Sequence, residues 1–187
     1  MRKIFLVLLA VVFTVPVLSA QEVAMQPEAY TAVAVGTGGA AGGKTIPFDF
    51  RVTYYATDQD IERLATILRE KGRDALRSAM EKLNAGRINP VGTVGNQIAV
   101  ARKRQQGNVT IITIVTARDM SFAELYRSNR SVDYPFGFLQ VKLNEKGEGT
   151  GQVIGAAKIR FDKKKGKYEI ESYGNQYVKV ANVRPNK

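Results

Sequence analysis

Asn108-Val-Thr-Ile-Ile-Thr-Ile-Val-Thr116 is the most apolar run of the chain beyond its first twenty residues. Strand side chains alternate between faces, so Val109, Ile111, Thr113 and Val115 share one face and Thr110, Ile112, Ile114 and Thr116 the other. Both faces carry large β-branched groups, which predicts cover on both. The run reads as a central strand, with the rest of the sheet arranged around it.

Downstream, the signals stay β. Tyr134 to Leu143, Gly149 to Phe161, Lys167 to Tyr173 and Tyr177 to Val183 alternate as strands, and Gly147, Gly166 and Gly174-Asn175 mark turns between them. Charge fixes one register. With Phe161 opposite Tyr168, Ile159 faces Ile170, Asp162 faces Lys167, Arg160 faces Glu169 and Lys158 faces Glu171. Every polar pair then has opposite signs, and a one-residue slip would set charge against the core. A second hairpin is expected to follow through Gly174, with Ile170 facing Val180 and Glu171 facing Lys179.

Upstream, Ile88 to Val91 and Asn96 to Arg104 are further strand candidates, and Phe48, Phe50 and Val52 alternate as a half-buried strand. Thr57-Asp58-Gln59-Asp60 predicts a capped helix with a stripe at Ile61, Leu64, Ala65 and Leu68, stopped by Gly72. Ala75, Leu76, Ala79, Met80 and Leu83 mark a second helix. This order resembles the helix-grip arrangement, which implies a curved sheet wrapped on helices. The expected fold class is α+β: a curved antiparallel sheet or part-barrel of about seven or eight strands, packed on two consecutive helices near the N-terminus.

Residues 1–20 read as a signal peptide. Arg2 and Lys3 precede an uncharged apolar stretch that ends in Leu18-Ser19-Ala20. Residues 21–45 read as a Gly-rich lead-in, with an edge strand at most at Tyr30 to Val35, and residues 46–184 as a single domain. Export to the periplasm or the extracellular space is expected, with no transmembrane segment after cleavage. The leader holds two of the 28 basic residues and none of the 17 acidic ones, leaving 26 against 17, a net charge of +9. A chain so charged is drawn to anionic envelope material. Nucleic acid is a poorer match, because the basic clusters Arg102-Lys-Arg104 and Lys163-Lys-Lys165 lack interleaved aromatics and read as solvated strand ends and turns.

The chain has no cysteine and no histidine. Disulfides, Ser-His and Cys-His nucleophiles and the usual zinc sites are therefore excluded, and no cofactor or metal is expected. Gly38-Gly-Ala-Ala-Gly-Gly43-Lys44-Thr45 matches the letters of a phosphate-binding loop. The match runs into the strand pattern beginning at Ile46, whereas the chemistry needs a helix there. Glu169 and Glu171 are the tidiest carboxylate pair, but basic partners across the hairpin make them an ionic ladder rather than an acid and a base.

The longest gap between strands, Thr116 to Phe136, places arginines among tyrosines, a mixture suited to a carboxylate, phosphate or sugar. Arg118, Tyr126, Arg127, Arg130, Asp133 and Tyr134 are its candidate ligand-binding residues; no catalytic residue is assigned. Its plain alternative is a short helix, Ser121 to Arg127, closing one end of the sheet.

Gly36 to Gly43, the helix pair, Gly86-Arg-Ile88, the Phe122 to Gly137 segment and Ala157 to Gly174 resemble a family of small exported bacterial proteins. That resemblance spans nearly the whole chain after the leader and implies neither an activity nor site residues. The functional expectation is an exported, non-enzymatic binding or envelope-associated protein for an apolar or anionic ligand. The alternatives are a hydrolase or isomerase using carboxylate or tyrosine groups, and a structural interaction module with no small ligand.

Overall fold

The computed structural model describes residues 26–36, 43–120, 133–173 and 177–186. The elements run β1 (Glu28–Val35), β2 (Thr45–Val52), α1 (Asp58–Lys71), α2 (Arg73–Met80), β3 (Gly86–Pro90), β4 (Asn96–Ile98), β5 (Val100–Gln106), β6 (Val109–Thr116), β7 (Phe136–Leu143), β8 (Gly149–Asp162), β9 (Lys167–Ser172) and β10 (Val178–Pro185). Residues 1–25 and 121–132, which include the expected leader, lie outside the described residues.

The strands form one antiparallel sheet in the order β4-β3-β2-β1-β10-β8-β7-β6-β5, with β9 attached to β8. The two ends of this path are consecutive pieces of chain, broken only by a bend at Ala99. On one side of the bend the Ala85 amide donates to the Ile98 carbonyl at 2.8 Å; on the other the Ala99 amide donates to Val115 at 3.0 Å. The stave formed by β4 and β5 thus pairs with β3 through its first half and with β6 through its second, and the sheet curls round on itself into a barrel. This near-closure pairs the two ends of the path with each other, while β9, paired with β8 alone among the described residues, keeps an edge.

The barrel is filled by its own side chains. Phe48, Phe50, Val52, Ile88, Ile98, Ile112, Ile114, Leu139, Val141 and Leu143 are all essentially inaccessible to solvent and belong to one cluster with Tyr30 and Val180. Counting β4 and β5 as one stave gives eight, a number whose interior is just wide enough for side chains. On the outside, Leu64, Leu68, Leu76 and Met80 of the helices pack on Ala99, Val100, Phe136, Phe138, Ile154 and Ala157. The same strands therefore line two cores, one from each face.

This arrangement corrects the expected fold class. The protein is mostly sheet, a nearly closed antiparallel barrel, and the sheet does not wrap two helices near the N-terminus. The inward positions are too large for a helix to share the barrel, so the helices take only an outward patch. The local helix signals do hold. Thr57 caps α1 and pairs reciprocally with Asp60, and Gly72 ends the helix at φ 83°. Leu64 and Leu68 are its buried residues.

Ile112, Ile114 and Thr116 are fully buried within β6, which has β5 and β7 on its two sides. Its other face is covered only toward Val115, and Val109 is exposed. Tyr30 to Val35, read from the sequence as at most an edge strand, belong to β1, which has partners on both sides.

The β8–β9 register is the expected one at all five pairs, Lys158–Glu171 through Asp162–Lys167. The second hairpin is not. β10 pairs with the first half of β8 (Val178 with Val153, Val180 with Gly151), while β9 pairs with its second half. The chain thus continues along the same edge of β8 rather than reversing, and Ile170 does not face Val180. The division falls between Val153 and Ala157, and the base of β8, on the β10 side, is tightly packed. A Cβ at Gly149 would lie 1.9 Å from the Lys142 carbonyl oxygen, and one at Gly151 would lie 2.2 Å from that of Gln140. β8 presses against β7 there as only glycine allows, and β10 follows it into the barrel wall.

Candidate functional site

One cluster joins distant strands at a mouth of the barrel. The Glu28 carboxylate of β1 accepts hydrogen bonds from the Tyr30 and Tyr55 hydroxyls, both at 2.8 Å, and from Lys103 Nζ of β5 at 2.7 Å. Lys103 also lies 5.5 Å from the centre of the Tyr55 ring, and Tyr30 stacks on Phe50.

Burial alone would raise the Glu28 carboxyl, but the bonds from Lys103, Tyr30 and Tyr55 outweigh it and hold the group below its usual range. Burial, reinforced by the bonds to Glu28, pushes both tyrosine hydroxyls far above theirs. A general acid needs a raised carboxyl and a tyrosine nucleophile or base a lowered hydroxyl. Neither shift is the one that a general-acid carboxyl or a tyrosine base would need. The cluster is a polar plug that ties β1 to β5. The sequence reading missed it because its members are 75 residues apart and Lys103 sits in what reads as a solvated basic cluster. Its neighbour Arg102 is tied as well, to Asp58 in the first turn of α1.

Of the Glu169 and Glu171 pair, Glu169 takes the basic partners that an ionic ladder calls for. The Lys165 hydrogen bond, together with Arg160 at 2.8 Å, holds the Glu169 carboxyl below its usual range despite some desolvation. Glu171 accepts instead from the Tyr134 hydroxyl at 2.6 Å. Lys158 lies 5.8 Å from the centre of the Tyr134 ring, which meets Tyr173 edge-on.

The candidate residues of the 118–134 segment go to different neighbourhoods. Arg118 is exposed and lines a cleft of about 460 Å³ with Arg87, Asn96 and Asp119. Asp133 accepts from Arg73 of α2, through its carbonyl at 2.9 Å and its side chain at 3.4 Å. Tyr134 joins the β8–β9 hairpin as described. Tyr126, Arg127 and Arg130 lie outside the described residues, as does the short helix considered for 121–127. In the glycine-rich match, Thr45 opens β2 rather than a helix, so no helical amides complete a phosphate cradle. Among the described residues, no group of three or more His, Cys, Asp or Glu is placed to hold a metal ion, and no helix is long and apolar enough to cross a membrane.

Among four open clefts lined by described residues, one carries a clear sign of charge. The cleft at Arg118 balances Arg87 and Arg118 against Glu81 and Asp119. A second sets Lys142 and Lys146 against Glu145 and Glu148, and a third Arg184 against Asp49. The fourth, of about 460 Å³, runs between the α1–α2 elbow and β8. There Arg69, Lys71, Arg73, Lys158, Arg160 and Lys163 meet only Glu70 and Asp74, above an apolar floor of Leu68, Ile159 and Phe161. Comparison of the chain with protein-family models, curated proteins and solved structures finds no match.

Proposed function

We propose that this protein is an exported, non-enzymatic binding protein that attaches to anionic envelope material through the outside of its barrel. The observation that carries this reading is the pairing of a filled interior with one outward cleft of strong positive charge. A ligand lodged among the inward residues would have to displace Phe48, Phe50, Ile112 or Leu139, each fully buried. An anion at the surface displaces nothing. The excess of basic residues past position 20 favours the same kind of partner. Against an enzyme stands the acid–tyrosine cluster, whose carboxyl is shifted away from general-acid duty and whose hydroxyls are shifted away from base or nucleophile duty.

The experiment is binding of the purified protein to neutral and to anionic surfaces across a salt series. Binding confined to anionic surfaces and falling steeply with salt is expected. Equal binding to neutral surfaces, or a neutral small molecule co-purifying in native mass spectrometry, would contradict it. The filled interior also favours a second reading, a structural interaction module without a small ligand; it predicts no binding to any of these surfaces.

A further inference from the structure

Resting on the anion-binding reading and giving it a place, we infer that the groove between the α1–α2 elbow and β8 docks on an anionic lipid surface. A headgroup phosphate sits there among Lys71, Lys158 and Lys163.

Three observations converge on this groove. It is the one cleft of the four whose lining is strongly positive. Part of that charge is uncompensated. Arg69 is held by Glu62, Arg73 by Asp74 and Asp133, and Arg160 by Glu169, but Lys71 and Lys163 make no ion pair among the described residues. Lys158 lies over the Tyr134 ring, across the hairpin from Glu171, and makes no ion pair within 4 Å among the described residues. The third observation is apolar. The floor is Leu68, Ile159 and Phe161, and the adjoining β9 strand exposes Tyr168 at 43% and Ile170 at 42%.

A soluble polyanion needs charge alone. Lysines beside exposed tyrosine and isoleucine suit the boundary of a bilayer, where headgroup phosphates and the first methylenes lie within one side-chain length of each other. The hairpin turn, Lys163-Lys164-Lys165, brings more charge to the same end. Lys165 is already paired with Asp162 and Glu169, so Lys163 is the better placed to reach outward.

The test compares the purified protein with two triple variants of equal net charge. One reverses the groove: Lys71→Glu, Lys158→Glu and Lys163→Glu. The control reverses three exposed lysines elsewhere: Lys44→Glu, Lys82→Glu and Lys146→Glu. Sedimentation is measured with vesicles of phosphatidylglycerol and phosphatidylcholine, with vesicles of phosphatidylcholine alone, and with dextran sulfate as a soluble polyanion. The groove variant should bind the phosphatidylglycerol vesicles about tenfold more weakly or worse, and the control within about threefold of the unaltered protein. The single change Lys163→Glu, at an exposed turn, should already weaken binding by about threefold, and it tests the site even if the triple variant folds poorly.

Equal loss in the groove and control variants would overturn the site and leave general anion binding standing. Binding of the unaltered protein to dextran sulfate but not to phosphatidylglycerol vesicles would overturn the lipid surface. Binding to neither would overturn the anion-binding reading itself.

Discussion

Lys103 of β5 and Glu28 of β1 meet at 2.7 Å, although β2, β3 and β4 stand between their strands in the sheet. The pair spans a mouth of the barrel, and its strength follows from what shares it. Tyr30 and Tyr55 donate to the same carboxylate, so removing the lysine leaves a half-buried anion with neutral donors alone. Lys103→Met should cost about 1–2 kcal/mol in urea unfolding. Glu28→Gln, which keeps an acceptor for the tyrosines, should cost less than Glu28→Ala.

The same cluster contributes to the pH dependence of stability. The Glu28 carboxyl is held below its usual 4.5, so its contribution is present above that pH and is lost as the pH falls through the lower folded value. The Tyr30 and Tyr55 hydroxyls are pushed above 10, so their contribution is complete below pH 10 and lost as the pH rises beyond it. Urea midpoints should be flat between the two limits and fall outside both. With Tyr55→Phe, the alkaline fall should shrink.

Ile112 and Ile170 are both isoleucines on strands, yet they should respond differently to truncation. Ile112 is fully buried in the barrel, whereas Ile170 is 42% exposed on the attached strand. Ile112→Ala should cost about 2–5 kcal/mol and Ile170→Ala less than about 1 kcal/mol. Comparable losses would mean that the hairpin is part of the main core.

Gly149→Ala should be among the most damaging changes to a residue without a side chain. The new methyl would overlap the Lys142 carbonyl oxygen, and backbone cannot swing aside as a flexible side chain can. A loss of about 2–4 kcal/mol is expected. Gly107→Ala is a useful contrast: a Cβ there meets nothing within 4 Å, and the cost is only that of a backbone at φ 58°.

What the sequence made legible was local. The helix cap at Thr57, the stop at Gly72, the alternation of Phe48, Phe50 and Val52, and the charge-matched β8–β9 register are each written within a few residues of one another. The barrel is not written that way. Its closure depends on a bend at Ala99, an unremarkable alanine inside a run that reads as one strand. Its topology depends on β8 being long enough to serve β9 with one half and β10 with the other. Gly174-Asn175 carries turn chemistry, so local reading paired β9 with β10, two strands that instead share one edge of β8. The Glu28 cluster was hidden for the same reason: Glu28, Tyr55 and Lys103 become neighbours only once the sheet has curled round. The 118–134 segment was singled out by length and composition. The structure links Asp133 to α2 and Tyr134 to the hairpin, beside the basic groove rather than within it.

The most direct test of a closed, self-filled barrel is a pair of backbone contacts in one solution NMR spectrum. Ala85 should show cross-strand contacts to Ile98, and Ala99 to Val115, with both amides strongly protected from exchange. Contacts on one side of the bend only, with the other amide exchanging as in an unpaired chain, would mean an open sheet and a different place for any ligand.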